Sequence, residues 1–379
     1  MRGGISDRMR ALITGGAGFI GSHLADRLLA AGYEVRALDN LVPQVHGGRR
    51  PEYLSRDVEL VVADVRDRHA VTAALEGVDA LVHFAAAVGV GQSMYQIEHY
   101  TSVNVMGTAT LLQALVDRSV RPSRMLVASS MSIYGEGRYR CESCGPQDPM
   151  PRPLEQVKGG GWAMRCPRCV REMAPLPTPE TKTLHPRSIY AVNKRDQEEM
   201  FLNAGRALAI PTLALRFFNV YGPRQALSNP YTGVAAIFAS ALMNKQRPLV
   251  FEDGQQTRDF IHVRDVAEAC LHAVTAEAAD VALNIGTGVA TSLLDLLALL
   301  GREIPGAEGV QPLVLGRFRE GDVRACFADV TAARERLGFS ARIPLAEGVR
   351  DLVEWAKGQP SIDSSASALR ELEGRGLVT

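Results

Sequence analysis

The chain has 379 residues, 46% of them hydrophobic and 22% charged, with 42 basic against 42 acidic side chains. That length suits one large or two intimate domains with a sizeable core, and the balanced charge gives no electrostatic reason to expect nucleic acid or an anionic membrane as partner. No apolar run approaches the ~20 residues that span a bilayer, and Met1 to Arg10 lacks the apolar stretch of a signal peptide, so a cytoplasmic setting with reduced thiols is expected. Arg10 to Thr14 reads as a short apolar strand that breaks into glycines. After Gly21, Leu24, Leu28 and Leu29 fall at helical spacing, and Glu34 to Leu38 reads as a second strand ending at Asp39. Strands at Val58–Val62, Ala80–Phe84 and Arg124–Ala128, with a helix around Val103–Val116, continue the alternation expected of a doubly wound parallel sheet. From Arg138 to about Thr183 the chain is rich in Pro, Gly and Cys without an apolar period, which reads as an insertion. Helical periodicity resumes at Tyr190–Leu202, followed by a strand at Thr212–Phe218; a polar tail, expected to be poorly ordered, follows Pro360.

Three local patterns carry chemistry. Gly15, Gly18 and Gly21, with Phe19 and Ile20 between the last two, form G-x-x-G-x-x-G between a strand and a helix. Such a turn lets backbone N–H groups and a helix N-terminus approach a pyrophosphate, although glycines also serve plain tight turns. Asp39, beside Asn40, can hydrogen-bond the adenosine ribose and would repel a 2′-phosphate, which favours NAD over NADP. Tyr190 and Lys194 stand one helical turn apart, so an ammonium can lower the pKa of a phenol that is otherwise a poor base; the plain alternative is an exposed tyrosine beside a solvated lysine.

The third pattern is Cys141-x-x-Cys144 with Cys166-x-x-Cys169, two pairs separated by 21 residues. Four thiolates fill a tetrahedral zinc and leave no open position, so a structural zinc is expected; unrelated or disulfide-bonded cysteines are the alternative. Cys270 and Cys326 lack partners at ligand spacing and read as core residues. The insert holds Arg138, Arg140, Arg165, Arg168 and Arg171, but beyond Trp162 it has no aromatic series for stacking nucleic-acid bases.

GGAGFIG at the first turn, Val82-His83-Phe84-Ala85-Ala86, Ser129 to Gly135 and Tyr190-x-x-x-Lys194 together resemble the extended short-chain dehydrogenase/reductases, which include nucleotide-sugar epimerases and dehydratases. Arg216 to Pro223, Arg258 to Val263, Asp265-Val266 and Asn284-Ile285-Gly286 extend the similarity across about residues 9 to 355. The resemblance implies a Rossmann domain in residues 9–137, 184–216 and 258–285, a zinc-ribbon insert at 138–183, a smaller substrate domain in 217–257 and 286–358, and a tail at 359–379. It implies Tyr190 as general acid/base, Lys194 on the nicotinamide ribose, and Ser130 on the reacting sugar hydroxyl or ketone. Asp64 and Val65 would face the adenine, and Phe84, Ala85, Ala86, Asn104 and Ser129 would line the cofactor path. Asn219, Arg258 and Arg324 would contact a sugar nucleotide, although Asn219 also fits a turn cap and Arg324 a pair with Asp322.

Dehydratases of this family place an Asp-Glu pair after the strand-end hydroxyl residue; here those positions are Met131 and Ser132. Simple NADPH reductases sit badly with Asp39. A redox-neutral 4-epimerisation on NAD is therefore expected. Ser129 to Gly137 and the four-cysteine insert are similar to a bacterial subgroup that includes dTDP-L-rhamnose 4-epimerase; UDP-glucose, UDP-glucuronate and GDP-sugars suit the same catalytic residues. A homodimer through the helices near 103–116 and 190–202 is also implied. The competing class is a non-catalytic NAD-binding module that touches a macromolecule through its zinc ribbon.

Overall fold

The computed structural model describes residues 8–119, 121–231, 233–359 and 363–379. Among them, β1 (Arg10–Thr14), β2 (Glu34–Asp39), β3 (Glu59–Val62), β4 (Ala80–His83), β5 (Arg124–Ser130), β6 (Thr212–Phe217) and β7 (Val281–Ile285) form one parallel sheet. Its order is β7-β6-β5-β4-β1-β2-β3. The chain winds outward from β1 to β3, then crosses back to lay β4 on the other side of β1. The carboxyl ends of β1 and β4 consequently diverge into a crevice, where ligands of such sheets bind.

Helices cover both faces, so the strands read as apolar runs. Successive side chains point to opposite faces: Ile13 joins the core that holds Leu24, Leu28 and Val266, while Leu12 joins the core that holds Leu111, Leu115 and Phe201. The first core lies under α1 (Phe19–Ala30) and the second under α2 (Gly107–Val116) and α3 (Ile189–Leu208). The helix expected from Val103 starts earlier in the chain: Ile97–Thr101 is helical and runs through one wide π turn, Ser102–Met106, into α2. Helix α3 starts where Ser188 Oγ accepts the Ala191 N–H at 3.1 Å and ends at Ala209, in the left-handed region at φ 54°. A separate core of the C-terminal half gathers Tyr221, Phe238, Leu296, Leu300, Val349 and Leu352.

The insert is ordered. Three short antiparallel strands, Arg138–Cys141, Gly145–Gln147 and Ala174–Leu176, enclose Tyr139, Cys141, Met164, Cys166 and Met173. Tyr139 and Cys141 are the inward positions of the first strand, while Met164, Cys166 and Met173 come from the loops between strands, which is why no long apolar period marks the insert. Both roots of the insert bond a segment far along the chain: Gly137 N–H donates to Ala325 O and Thr178 N–H to Phe327 O, each at 2.8 Å.

The stretch past Pro360 corrects the expectation of a disordered tail. Pro360 itself lies outside the described residues, but Ser365–Gly374 is a helix, α4, whose Ala368 and Leu372 are buried. Tyr231 Oη donates to Glu371 at 2.8 Å and Arg375 lies over the Tyr95 ring at 4.2 Å. Only three apolar side chains, Ala368, Leu369 and Leu372, make the inward face, too few to stand out in a Ser- and Ala-rich run.

Candidate active site

Two cavities meet at Ser130 and Tyr190. The first, about 440 Å³, runs from the glycine turn to the end of β5; the second, about 320 Å³, runs from there towards the C-terminal half. Ser130, Tyr190, Phe218, Asn219 and Tyr231 line both.

The glycine turn leaves the first cavity open to backbone. Gly15 has φ +70°, and a Cβ there would lie 2.8 Å from the Ala85 N; a Cβ on Gly21 would lie 2.3 Å from Gly15 O. Gly18, Phe19 and Ile20 complete this wall. Asp39 and Asn40 stand at its far end, where Asp39 accepts the N–H groups of Ala17 at 3.1 Å and Leu41 at 2.9 Å. Asp64 and Val65 line the same end; the Arg66 guanidinium, 2.8 Å away, holds the Asp64 carboxyl down to about 2. Phe84, Ala85 and Ala86 line the middle, and Ser129 reaches the cavity while giving its hydroxyl to Glu198 at 2.5 Å.

Asn104 is not part of this wall. It is fully buried, and its amide accepts from Ala87 N at 2.8 Å and donates to Ala87 O at 3.1 Å, so it fastens the 84–88 loop from behind. Unanticipated in its place is His46, which lines the cavity with Nε2 at 3.8 Å from Asp39 Oδ1; no pattern in the sequence singles it out.

Ser130 ends β5, and both the N–H and the hydroxyl of Ser132 donate to its Oγ, at 3.2 and 2.9 Å. Tyr190 and Lys194 project from the first turns of α3, whose register Tyr190 N–H helps set by donating to Ser93 Oγ at 3.1 Å. Lys194 Nζ donates to Ala128 O at 3.0 Å. The expected lowering of the phenol by Lys194 does not prevail in the protein alone. Burial pushes Tyr190 up to about 12, with the Ser130 hydroxyl working against it, and burial pushes Lys194 down to about 7. Met131 is buried and Ser132 is committed to Ser130, so neither offers an acid at the junction.

In the second cavity Asn219 and Arg258 are present, the Arg258 guanidinium held by Thr257 O and Val323 O, both at 2.8 Å. Arg324 is not. Its guanidinium turns to Asp253 and to Glu252, the latter at 3.0 Å. Arg319 lines the cavity instead, beside Arg258 and Arg187; it pairs with Asp322 at 2.7 Å and lies over the Phe251 ring at 5.1 Å. Asp322 is thus the partner of Arg319 rather than of Arg324. The available signal was Arg319-Glu320-Gly321-Asp322, whose Gly321 has φ +88° and turns the chain there. Leu369 and Leu372 of α4 close the outer side.

Away from both cavities, the sulfurs of Cys141, Cys144, Cys166 and Cys169 all lie within 4.8 Å of one another, with no disulfide among them. Cys270 and Cys326 are buried, as expected of core residues. No helix among the described residues is long and apolar enough to cross a membrane.

The profile of the NAD dependent epimerase/dehydratase family matches residues 11–154 and 171–286, breaking only inside the four-cysteine insert. The chain belongs to that family. A dTDP-L-rhamnose 4-epimerase from Burkholderia thailandensis is 35% identical over 92% of this chain and 95% of its own. The crystal structure of UDP-glucose 4-epimerase from Thermotoga maritima with UDP-glucose superposes with a TM-score of 0.76 at 29% identity, covering 92% of this chain and 99% of that one. The Thermus thermophilus UDP-glucose 4-epimerase in complex with NAD gives 0.73 at 29% identity, covering 93% of this chain and 100% of that one. As a member of the epimerase/dehydratase family the protein is an enzyme, a NAD-dependent nucleotide-sugar epimerase.

Proposed function

We propose that the enzyme is a 4-epimerase interconverting dTDP-L-rhamnose and dTDP-6-deoxy-L-talose. The observation that carries the reaction type is the meeting of Ser130 and Tyr190 at the junction of two cavities, with Met131 and Ser132 where an elimination would need an acid and a base. The 35% identity to a dTDP-L-rhamnose 4-epimerase over 92% of the chain supports the sugar. UDP-glucose is the second reading, favoured by the likeness to the Thermotoga enzyme.

The open backbone at Gly15 and Gly21, leading to Asp39, fits a dinucleotide. Bound NAD supplies the hydride acceptor for sugar C4. Tyr190 takes the proton of the 4-hydroxyl and later returns one to the 4-keto oxygen. Ser130 would orient that oxygen, and Lys194, one turn along α3 from Tyr190, would hold the nicotinamide ribose and favour the phenolate through its charge. Arg258 and Arg319 offer their cations to the diphosphate.

The purified enzyme should convert dTDP-L-rhamnose in preference to UDP-glucose, read by NMR of the product sugar. In D₂O the product should carry no deuterium at C4, since the same hydrogen returns there. Deuterium on C4, or no turnover across a nucleotide-sugar panel, would overturn the reading. A 2′-phosphate beside Asp39 sets two negative charges together in a buried corner, so NAD should bind at least about tenfold tighter than NADP to stripped protein by calorimetry. Equal affinity would count against Asp39 as the selector.

The four sulfurs also fit a structural zinc. Zn–S bonds of about 2.3 Å in a tetrahedron set sulfur–sulfur edges of roughly 3.8 Å, and the Cys141–Cys169 pair stands at 3.4 Å with every pair inside 4.8 Å. Elemental analysis should find one zinc per chain. Cys144→Ser with Cys169→Ser should lose it and destabilise the insert while bound NAD remains. A metal content near zero in protein purified without chelator would refute the assignment.

A further inference from the structure

Between the two cysteine pairs, Arg152 leaves the insert and enters the C-terminal half. Its guanidinium is buried and grips Glu252 as a fork, Nη2 to Oε1 at 2.7 Å and Nη1 to Oε2 at 2.9 Å. Nη1 also donates to Trp162 O at 3.0 Å, Nε stands 3.6 Å from Glu136 Oε1, and the group lies over the Phe318 ring at 5.5 Å. Glu252 is fully buried and holds φ +51°, a left-handed conformation that strains a non-glycine residue and persists only where its surroundings enforce it. Its neighbour Phe251 lines the second cavity and carries Arg319 over its ring. The same turn is bonded to the irregular segment that leads to Arg319: Glu252 N–H donates to Arg317 O at 2.9 Å and Gly316 N–H to Glu252 O at 3.1 Å.

We propose that Arg152 is the positioning residue through which the four-cysteine insert sets the affinity of the second cavity for the nucleoside diphosphate. This rests on the reading of that cavity as the nucleotide half of the site. Arg152 touches neither cavity. It acts by clamping Glu252 in its left-handed turn, which fixes Phe251 and hence the Arg319 cation. Its charge also offsets two buried carboxylates, Glu136 and Glu252, and so limits the demand on Arg324, whose guanidinium bonds Glu252 and Asp253. Without Arg152 those carboxylates would compete for Arg324, and the turn would lose the contact that holds it strained.

The test compares wild type, Arg152→Gln and Arg152→Lys in three measurements: calorimetric binding of dTDP and of UDP, the split of KM against kcat, and NAD retained per chain. Arg152→Gln should weaken nucleoside diphosphate binding and raise KM by about tenfold, with kcat within about twofold and NAD retention unchanged. Arg152→Lys keeps the charge but loses the fork, and should raise KM by about threefold; it is also the variant to read should Arg152→Gln not fold. Unchanged dTDP and UDP affinity in both variants would overturn the proposal, as would a fall in kcat and NAD retention matching the rise in KM, the mark of a general loss of fold. Wild-type protein that bound neither dTDP nor UDP would overturn the underlying reading of the cavity and this proposal with it.

Discussion

Tyr190→Phe is expected to lower kcat by about 10³-fold while leaving the fold and retained NAD unaltered. The phenol stands at the junction of both cavities, and the side chain loses only its oxygen; the Tyr190 N–H bond to Ser93 that seats this end of α3 belongs to the backbone and survives. Stopped-flow and steady-state rates on the variant check this, together with the absorbance of bound cofactor. A variant within about tenfold of wild-type turnover would remove Tyr190 from the role of acid/base, since general catalysis by a positioned group contributes about 10² or more.

Lys194→Met should abolish most activity yet stabilise the protein once cofactor has been stripped. Lys194 is 3% exposed and its amine donates to Ala128 O. Burial lowers its pKa from 10.5 to about 7. Between those values the unfolded chain binds a proton that the folded chain does not, so the contribution of this residue makes stability rise with pH across that window. Below about 7 both states hold the proton and the folded state bears the full cost of a buried cation. Methionine removes that cost. The Tm gain of the stripped variant over stripped wild type should therefore be largest near pH 6 and fade towards pH 10.5. A variant less stable than wild type at pH 6 would show that the Ala128 hydrogen bond outweighs desolvation. Such an exchange, stability given up for a charge held in a dry cavity, is common where catalysis sets the choice of residue.

The features legible in the sequence are those encoded by local spacing. Gly15, Gly18 and Gly21 declare themselves because they recur at fixed intervals from the end of a strand into the first turn of a helix, and Asp39 because it ends the next strand. The cysteine pairs are likewise local, and the structure brings their sulfurs together. What escaped is set by distant partners. Arg319 and Arg324 lie five residues apart in one irregular segment, and their roles depend on turns at Gly316 and Gly321 and on Glu252 and Asp253, about seventy residues upstream. The lining role that the resemblance implies for Asn104 is not realised, because its amide is spent on Ala87, a contact no periodicity encodes. Helix α4 was missed because small residues on a polar helix give a weak stripe.

The attachment of the insert bears on the order in which the chain assembles. Its four sulfurs come from residues 141 to 169, a short span of the chain. The groups that hold it down are remote: Arg152 and Glu252 are 100 residues apart, and Glu136 and the Arg324 N–H are 188 apart. During synthesis, residues 138–183 emerge long before Glu252, Arg324 or Ala325, so the four cysteines are expected to cluster while Glu136 and Arg152 still face water. Long loops close late because their entropy is lost before distant contacts reward it. The insert is then a preformed wedge whose charged edge is dehydrated only at the end. In hydrogen-exchange pulse labelling, amides of Tyr139 and Cys166 should become protected before those of Ala325 and Thr178.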